Sequence, residues 1–245
     1  MRSAVYTRFE LLRAIRNRRF MIFSILFPLV LYFMIAVPNR DVKDLGGSGI
    51  SAPLYFMVGL AAFGTMNAVL GTGARIAAER QVGWNRQLRI TPLTTRAYFR
   101  AKVLTAYMLA ALTIVILYIS GLSLGVSISA GRWLDMTIFI LIGLVPFAGL
   151  GIAMGHLLNV DAIGPAIGGT TALLALFGGV WFPISSSGAL HDIAQALPSY
   201  WLVQAAHIAI GGEGWGATGW AIVAIWSIAV TLVAMQAFRR DTQRA

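Results

Sequence analysis

The segment TGWAIVAIWSIAVTLVAMQA, residues 218–237, decides the fold class. It carries no charged side chain and has the length that an α-helix needs to cross the hydrocarbon core of a bilayer, about 20 residues. A second such run, MIFSILFPLVLYFMIAV, occupies residues 21–37. In lipid only helices and closed barrels satisfy the backbone, and neither run shows the two-residue alternation of barrel strands. These runs therefore predict membrane-spanning helices.

The composition of the whole chain is that of a membrane protein. Of 245 residues 58% are hydrophobic and 11% charged, whereas a soluble domain has about 25% charged residues. The net charge of +10 would suit nucleic acid, but the basic residues cluster beside apolar runs, so nucleic-acid binding is not expected. The chain has no cysteine, which excludes disulfides and thiolate metal sites. The excess of arginine over lysine is typical of a GC-rich bacterial genome.

The apolar stretches predict an all-α polytopic fold with a single transmembrane domain, residues 1–245. Six spans are predicted, at residues 20–38, 52–74, 103–126, 135–155, 163–182 and 218–238. With the N-terminus inside, sixteen of the nineteen Lys and Arg residues fall in inner segments. This asymmetry matches the positive-inside rule and places both termini in the cytoplasm, with the protein in the plasma (inner) membrane.

Residues 1–19 carry six arginines and precede the first span. On a helical wheel, apolar residues fall on one side and a polar set that includes Glu10 and Arg13 falls opposite, although Arg8 interrupts the apolar face. This pattern predicts an interfacial helix on the membrane. A disordered basic tail that only fixes orientation is the alternative. A signal peptide is disfavoured because no small-x-small cleavage site precedes Pro38.

Small residues at four-residue spacing let helices approach closely. The chain has three such pairs, which we interpret mainly as contacts within the chain and less as contacts between subunits. The pairs are Gly121 with Gly125, Gly151 with Gly155, and Gly164 with Gly168.

The sequence lacks the phosphate-binding loop of ATPases, which needs a lysine between glycine and Ser or Thr. The two lysines, Lys43 and Lys102, are not in such a context. The chain is therefore predicted to bind no cofactor and to hydrolyse no ATP by that route. Any ATP and Mg²⁺ would belong to a partner subunit.

The predicted spans contain no Lys, Arg or Glu, and their one acid, Asp135, lies at a membrane edge. Ion-coupled transport normally uses ionisable groups at membrane depth, so a proton antiporter is disfavoured. For His156 and Asp161, in a short inner turn, capping and turn chemistry is favoured over a proton role. The spacing of His191 and His207 fits no metal site. We predict no catalytic residue and no metal.

The segment ERQVGWNRQLRITPLTTR, residues 79–96, carries the most specific motif. It resembles the signature of ABC transporter permeases of the type-2 export family, in which the loop between spans two and three has an acidic-Arg pair, a Gly, a Leu, a Pro-Leu turn and a Lys that opens span three. The predicted ATPase-coupling residues are Glu79, Arg80, Gly83, Trp84, Leu88, Pro92, Leu93 and Lys102.

The resemblance implies that residues 75–102 form a cytoplasmic coupling helix that docks on the ATPase. A short basic amphipathic helix broken at Pro92 is independently suited to a groove in another protein. The alternative interpretation is that the seven basic residues of this segment only enforce topology.

A second resemblance to the same family lies in FGGVWFP, residues 177–183, and in the two prolines that bracket a short leucine-containing helix. It implies an outer re-entrant helical hairpin in residues 183–217, a segment without Lys or Arg. Plain membrane-edge turns are the alternative. The predicted gate residues are Gly178, Gly179, Pro183, Leu197 and Pro198.

The resemblance covers essentially the whole chain and implies a permease subunit of an ATP-driven exporter. Its partners would be a separate ATPase, a second permease subunit, identical or different, and membrane lipids. Its substrate would be a hydrophobic or amphipathic drug, natural product or lipid-linked molecule. Three other interpretations stay open: a non-transporting membrane anchor or regulatory subunit, a gradient-driven secondary transporter, and, last, a membrane enzyme.

Overall fold

The computed structural model describes residues 2–84, 87, 91, 93–185, 187–209 and 214–243. Over these residues the chain is helical and has no strand, which confirms the predicted all-α fold class. The helices are α1 (Arg2–Arg16), α2 (Arg18–Met21), α3 (Phe27–Ala36), α4 (Ala52–Gln81), α5 (Thr95–Ser123), α6 (Ala130–Gly143), α7 (Val145–Leu157), α8 (Val160–Phe177), α9 (Ala189–Gln195), α10 (Pro198–Ala209) and α11 (Ala217–Gln243).

The described residues contain five helical segments that are long and apolar enough to cross a membrane. They are α4, α5, α6 with α7 (Ala130–Leu157), α8 and the part of α11 up to Asp241. The first predicted span corresponds to α2 and α3, whose apolar part, Ile22–Ala36, is shorter. The chain is therefore a polytopic helical membrane protein, and the count of six spans stays a prediction.

A π-helical turn, Ile22–Leu26, joins α2 to α3. Its cause is Pro28, which has no backbone N–H to donate to the carbonyl of Ser24. The hydroxyl of Thr113 in α5 lies 3.5 Å from that carbonyl oxygen, but its shorter hydrogen bond, of 3.0 Å, goes to the Leu109 carbonyl. The irregular turn therefore lies where the first apolar helix meets α5.

Helix α4 is the central element of the bundle, because 94% of its most apolar 18-residue stretch is buried. The corresponding buried share is 22% for α8 and for α11. Helices α3, α5, α7, α8 and α10 all pack against it. Where α4 crosses α7 the backbones touch, since a Cβ on Gly73 would lie 2.3 Å from the carbonyl oxygen of Gly151. This contact requires glycine.

The three glycine pairs differ in what surrounds them. Gly151 and Gly155 pack against α4, as predicted. For Gly164 and Gly168 the predicted contact within the chain is wrong, because nothing lies within 4 Å of a Cβ built on either residue. They lie on a face of α8 that points away from the bundle. Gly125 instead follows the end of α5 with a φ of 84°.

We call the end of the bundle where α4 ends and α5 begins the inner end, and the opposite end the outer end. At the outer end α9 and α10 follow α8 and pack together with the start of α11. Three indole N–H groups hold them: Trp201 donates to the Gln195 carbonyl at 3.0 Å, Trp215 to the Trp201 carbonyl at 2.7 Å, and Trp226 to the Ala196 carbonyl at 2.8 Å. These helices occupy the segment predicted to be re-entrant, and their depth in a membrane stays a prediction.

Candidate functional site

The connection between α4 and α5 is shorter than the predicted inner segment 75–102, because both helices extend beyond the predicted spans. Helix α4 continues to Gln81 and stops at Gly83, whose φ of 68° favours glycine. No described residue has an atom within 4 Å of a Cβ built there, so the requirement concerns the backbone and not space. Helix α5 begins at Thr95 and is capped by Thr94, whose hydroxyl accepts from the Ala97 N–H at 3.2 Å.

Glu79, in the last turn of α4, is fully buried and accepts hydrogen bonds from three side chains on two other helices. The Nζ of Lys102 in α5 lies 2.5 Å from Oε1, and the Nη1 of Arg13 in α1 lies 2.9 Å from the same oxygen. The hydroxyl of Tyr98 donates to Oε2 at 2.9 Å. Both carboxylate oxygens are thus paired, as burial of a charge requires.

A second buried carboxylate shares Lys102. Glu10 in α1 is 3% exposed, and its Oε1 lies 2.7 Å from the lysine Nζ. Arg75 in α4 lies 3.6 Å from the same oxygen, donates to the Thr72 hydroxyl at 3.0 Å and stacks over the ring of Phe20. We call Glu10, Arg13, Arg75, Glu79, Tyr98 and Lys102 the Glu79 cluster.

The Glu79 cluster joins two carboxylates to three cations. In its low-dielectric interior each charge depends on the others for stability. The effect extends to Tyr6 in α1, whose pKa is raised by burial and by the negative charges of Glu79 and Glu10. The cluster therefore fixes α1, α4 and α5 to one another at the inner end.

Arg80, the next residue, takes part in a different cluster. Its guanidinium donates to Oδ1 of Asp241 in α11 at 2.9 Å and to the carbonyls of Gly155 and Leu158 at 3.0 and 3.1 Å. The Nδ1 of His156 lies 3.0 Å from Oδ2 of Asp241. Arg80 therefore satisfies the free carbonyls at the end of α7 and binds α7 to α11. We call Arg80, His156 and Asp241 the Arg80 cluster.

The predicted capping role of His156 is wrong. Its ring is buried and pairs with Asp241, while Asn159 caps the next helix by accepting from the Ala162 N–H at 2.8 Å. Asp161 lies in the first turn of α8, where a carboxylate complements the helix dipole. The sequence could not link His156 to Asp241, because the two residues are 85 positions apart.

Consecutive residues on an α-helix point about 100° apart. For this reason Glu79 reaches α1 and α5, whereas Arg80 reaches α7 and α11. The acidic-Arg pair at the end of α4 therefore contacts both halves of the chain: Glu79 contacts α1 and α5, and Arg80 contacts α7 and α11.

Of the remaining predicted coupling residues, Gly83, Trp84 and Leu93 lie in the described part of the chain and outside these clusters. Trp84 is 37% exposed, and Leu93 is half-buried in the approach to α5. Leu88 and Pro92 lie outside the described residues. The structure therefore brings Glu79 and Lys102 into direct contact, and places Arg80, the residue after Glu79, in a separate cluster. A role of any of these residues in ATPase coupling stays a prediction.

Sequence reasoning did not assign a role to Glu10, Arg75, Tyr98 or Asp241. Two of them carried a usable signal. Glu10 is the one acid among the first forty residues, in a strongly basic helix, and Asp241 directly follows two arginines at the end of an apolar helix. An isolated acid in a basic membrane-edge segment indicates an ion pair.

The predicted gate residues lie at the outer end of the bundle, between the end of α8 and the start of α10. Gly178 ends α8 so close to α10 that a Cβ there would lie 2.9 Å from the Ser199 side chain. Gly179 has a φ of 77° and its carbonyl accepts from the Tyr55 hydroxyl. The two prolines bracket α9, since Pro183 precedes it and Pro198, after Leu197, begins α10. Their gating role is a prediction.

No cluster of three or more His, Asp or Glu side chains that could hold a metal ion occurs in the part of the chain that the structure describes. The arrangement at the inner end holds helices together by ion pairs and contains no nucleophile paired with a base. These ion pairs can transmit a displacement from one helix to another.

Residues 4–210 match the family model described as ABC-2 type transporter, a range from α1 through α10 that includes the whole Glu79 cluster. The chain is also 28% identical over 195 residues to a protein of Bacillus subtilis (strain 168) with the printed name "Putative transport permease YvfS". That alignment covers 78% of this chain and 78% of the relative. The resemblance found in the sequence is thereby confirmed, and the chain belongs to the ABC-2 type transporter family.

Proposed function

We propose that this membrane component of a transporter is the permease subunit of an ATP-driven exporter. The ATPase is a separate polypeptide that binds ATP and Mg²⁺, and a second permease subunit completes the route. Both termini and the connection between α4 and α5 face the cytoplasm of the cell, and the protein lies in the plasma membrane. The substrate is hydrophobic or amphipathic.

The observation that carries this proposal is the Glu79 cluster, which clamps both ends of the connection between α4 and α5. Glu79 lies in the last turn of α4 and Lys102 about two turns into α5, which begins at Thr95, with 2.5 Å between the carboxylate and the ammonium. A push on the connection therefore cannot be absorbed by separating the two helices. Glu10 carries the displacement to α1, and Arg80 carries it to α7 and α11.

The connection has the properties of a docking element. Beyond the end of α4, Val82 is 70% exposed and Trp84 is 37% exposed, in a segment rich in arginine. Apolar side chains on a basic, sharply turned element are suited to a groove in a partner with acidic rims. The docking partner we propose is the ATPase.

The apolar character of the substrate rests on an apolar groove at the side of the bundle. A cavity of about 560 Å³ lies between α5, α7 and α11, with Val103, Tyr107, Ile152 and Met235 in its wall. Cavities of this size, about 300–1,000 Å³, accept small apolar molecules or lipid chains. Among the described residues the buried charges lie at the inner end, which supports an uncharged or amphipathic cargo.

The experiment is a mild-detergent pull-down of the tagged chain from its native membrane, with mass spectrometry and an ATPase assay on the eluate. Gly83 offers a matched pair of variants. Asn tolerates the positive φ of this position and Val does not. We expect an ATPase subunit to co-purify with the parent chain and with Gly83→Asn, and to be lost with Gly83→Val, while all three insert in the membrane.

Changes at Pro92 should act like Gly83→Val, with loss of substrate efflux but not of insertion. Recovery of the chain without any ATPase subunit would contradict the proposal. It would favour the anchor or regulatory interpretation, or the gradient-driven transporter if flux in vesicles followed a proton gradient.

A further inference from the structure

The groove between α5, α7 and α11 opens on the side of the bundle, and we call it the lateral groove. Two of its wall residues, Val145 and Met235, are 42% and 48% exposed, in segments that are long and apolar enough to cross a membrane. Along α5 the wall runs from Thr95 to Tyr107, which is about 18 Å of helix. That length is close to half of a hydrocarbon core about 30 Å thick. The groove therefore faces the lipid of one leaflet, at the inner end of the bundle.

An apolar groove at this depth takes an acyl chain. Apart from Thr95, Thr231 and Arg239, its wall consists of apolar, aromatic and glycine residues. Water held there would lack the polar partners that it needs. An empty groove would lose the dispersion contacts of its lining. The flexible apolar groups that a bilayer offers are acyl chains, so one of them fills the lateral groove.

The inner end of the lateral groove is positively charged. Arg239 lines it, is exposed, and forms no ion pair with a residue that the structure describes. Arg240 follows directly, and Arg96 follows the wall residue Thr95. Basic side chains at the membrane edge attract anionic lipids. The polar head of a lipid whose chain lies in the groove would therefore meet an arginine.

Acids of the same helices do not neutralise this end. Asp241 is the one Asp or Glu in the sequences of α5, α7 and α11, and residues 82–94, which precede α5, have none. The carboxylate of Asp241 is already paired, since it lies 2.8 Å from Arg80 and 3.0 Å from His156. The phosphate of a lipid is thus the complementary negative charge for Arg239.

We propose that the lateral groove binds an anionic glycerophospholipid, with one acyl chain in the groove and the phosphate beside Arg239. The chain passes from lipid into an equally apolar groove, so it contributes little selectivity. The headgroup selects, because a zwitterionic lipid carries its own counter-charge and an anionic lipid does not. That the leaflet is the cytoplasmic one, or that the lipid is transported, would rest on the proposed function. Binding itself needs only this chain and a bilayer.

The chain has no cysteine, so one introduced cysteine can carry a bimane fluorophore. Met235→Cys places it at the rim of the groove, and Leu104→Cys, at an exposed residue outside the wall, is the control. The nanodiscs contain phosphatidylcholine and a minority of phosphatidylglycerol with the same acyl chains, and either lipid carries a quenching nitroxide on its chain. We expect labelled phosphatidylglycerol to quench at residue 235 about fivefold more than its share of the bilayer predicts, and at residue 104 in proportion to its share.

The variants separate a bound lipid from a general attraction to a basic surface. Arg239→Gln should reduce the preference at residue 235 to that of the control, whereas Arg239→Lys, which keeps the charge, should retain most of it. Arg240→Gln is the matched control, because it removes the same charge from the adjacent residue, which is outside the groove wall. Ala148→Leu narrows the groove and should lower quenching at residue 235 by both labelled lipids.

The inference is overturned if residue 235 shows no preference for phosphatidylglycerol, since the groove would then accept any acyl chain. It is also overturned if residue 104 shows the same preference, or if Arg240→Gln removes as much of it as Arg239→Gln. Quenching by neither labelled lipid would mean that a second copy of the chain or another protein covers the groove, which would overturn it as well.

The outcome is independent of the ATPase experiment. Loss of the lipid preference, with an ATPase subunit still co-purifying, would remove this inference and leave the proposed function intact. A preference for phosphatidylglycerol in a chain that recruits no ATPase would leave a lipid site in a membrane protein of another function.

Discussion

Glu79 and Arg80 are neighbours in the sequence, yet the ion pairs Glu79–Lys102 and Arg80–Asp241 differ in their exposure to solvent. The side chains of Glu79 and Lys102 are fully buried, whereas those of Arg80 and Asp241 are 27% and 20% exposed. The Glu79 cluster joins the N-terminal half of the bundle, and the Arg80 cluster joins its C-terminal half. We infer that the first is a fixed joint and the second a joint that water can enter.

The difference follows from the energetics of ion pairs. A buried pair is costly to form, but removal of one partner strands the other charge and costs about 3–5 kcal/mol. A pair that water reaches loses less, because the stranded group is solvated again. A conformational cycle would therefore change the Arg80 cluster first.

Lys102→Met should give the largest effect. It leaves Glu10 and Glu79 without their shared ammonium, and we expect a loss of stability of about 3–5 kcal/mol. Thermal unfolding of the purified chain in detergent measures it. Lys43→Met is the matched control, since the chain has two lysines and Lys43 is exposed. Equal melting temperatures for both variants would show that the Glu79 cluster does not hold the inner end together.

Tyr98→Phe should have the next largest effect. It removes the donor to Oε2 of Glu79 but no charge, so a loss of about 1.5–3 kcal/mol is expected, the range for a hydrogen bond to a charged group. The same thermal unfolding measurement applies. Tyr107→Phe, on the same helix, is the control, because the Tyr107 hydroxyl has no hydrogen bond within the described part of the chain. A loss as small as that of Tyr107→Phe would contradict the role of Tyr98.

The helical membrane fold was predictable from the sequence, but the length of the helices was not. Arg75, Glu79 and Lys102 made residues 75–102 look like a loop, because unpaired charges are excluded from membrane helices. They lie in helices because they pair with one another and with Glu10. The Lys102–Glu10 contact joins residues 92 positions apart, which no local pattern reveals.

The candidate site was predictable in part for the same reason. The motif identified Glu79, Arg80 and Lys102, and a glycine that ends a helix is a local feature. The partners of Arg80 were not predictable, because Asp241 is 161 positions away and the Gly155 acceptor is a backbone carbonyl with no sequence signal. The open face of Gly164 and Gly168 depends on which side of α8 meets α4, and spacing alone does not fix that.

Arg80→Lys tests the C-terminal half. A lysine can reach Asp241 or the end of α7, but it lacks the planar fork that serves both. We expect a loss of stability of about 1 kcal/mol, smaller than for either change in the Glu79 cluster. Arg40→Lys is the control, since Arg40 forms an exposed contact with Asp41 at 3.7 Å. A loss as large as that of Lys102→Met would remove the contrast between the two clusters.

An increase in salt concentration should give the smallest change in stability and should separate the Arg80 cluster most clearly from the Glu79 cluster. The coupling energy between Arg80 and Asp241, from a double-mutant cycle of Arg80→Gln and Asp241→Asn, should be about 1 kcal/mol or less and should fall as salt shortens the screening length from about 10 Å at 0.1 M to about 3 Å at 1 M. The same cycle with Lys102→Met and Glu10→Gln should not respond, because ions do not reach a contact whose side chains are 0% and 3% exposed. If both coupling energies fell together, solvent would enter both clusters, and the Glu79 cluster would not be a fixed joint. If neither fell, the Arg80 cluster would be as closed as its neighbour, and a displacement of the α4–α5 connection would reach both halves of the bundle equally.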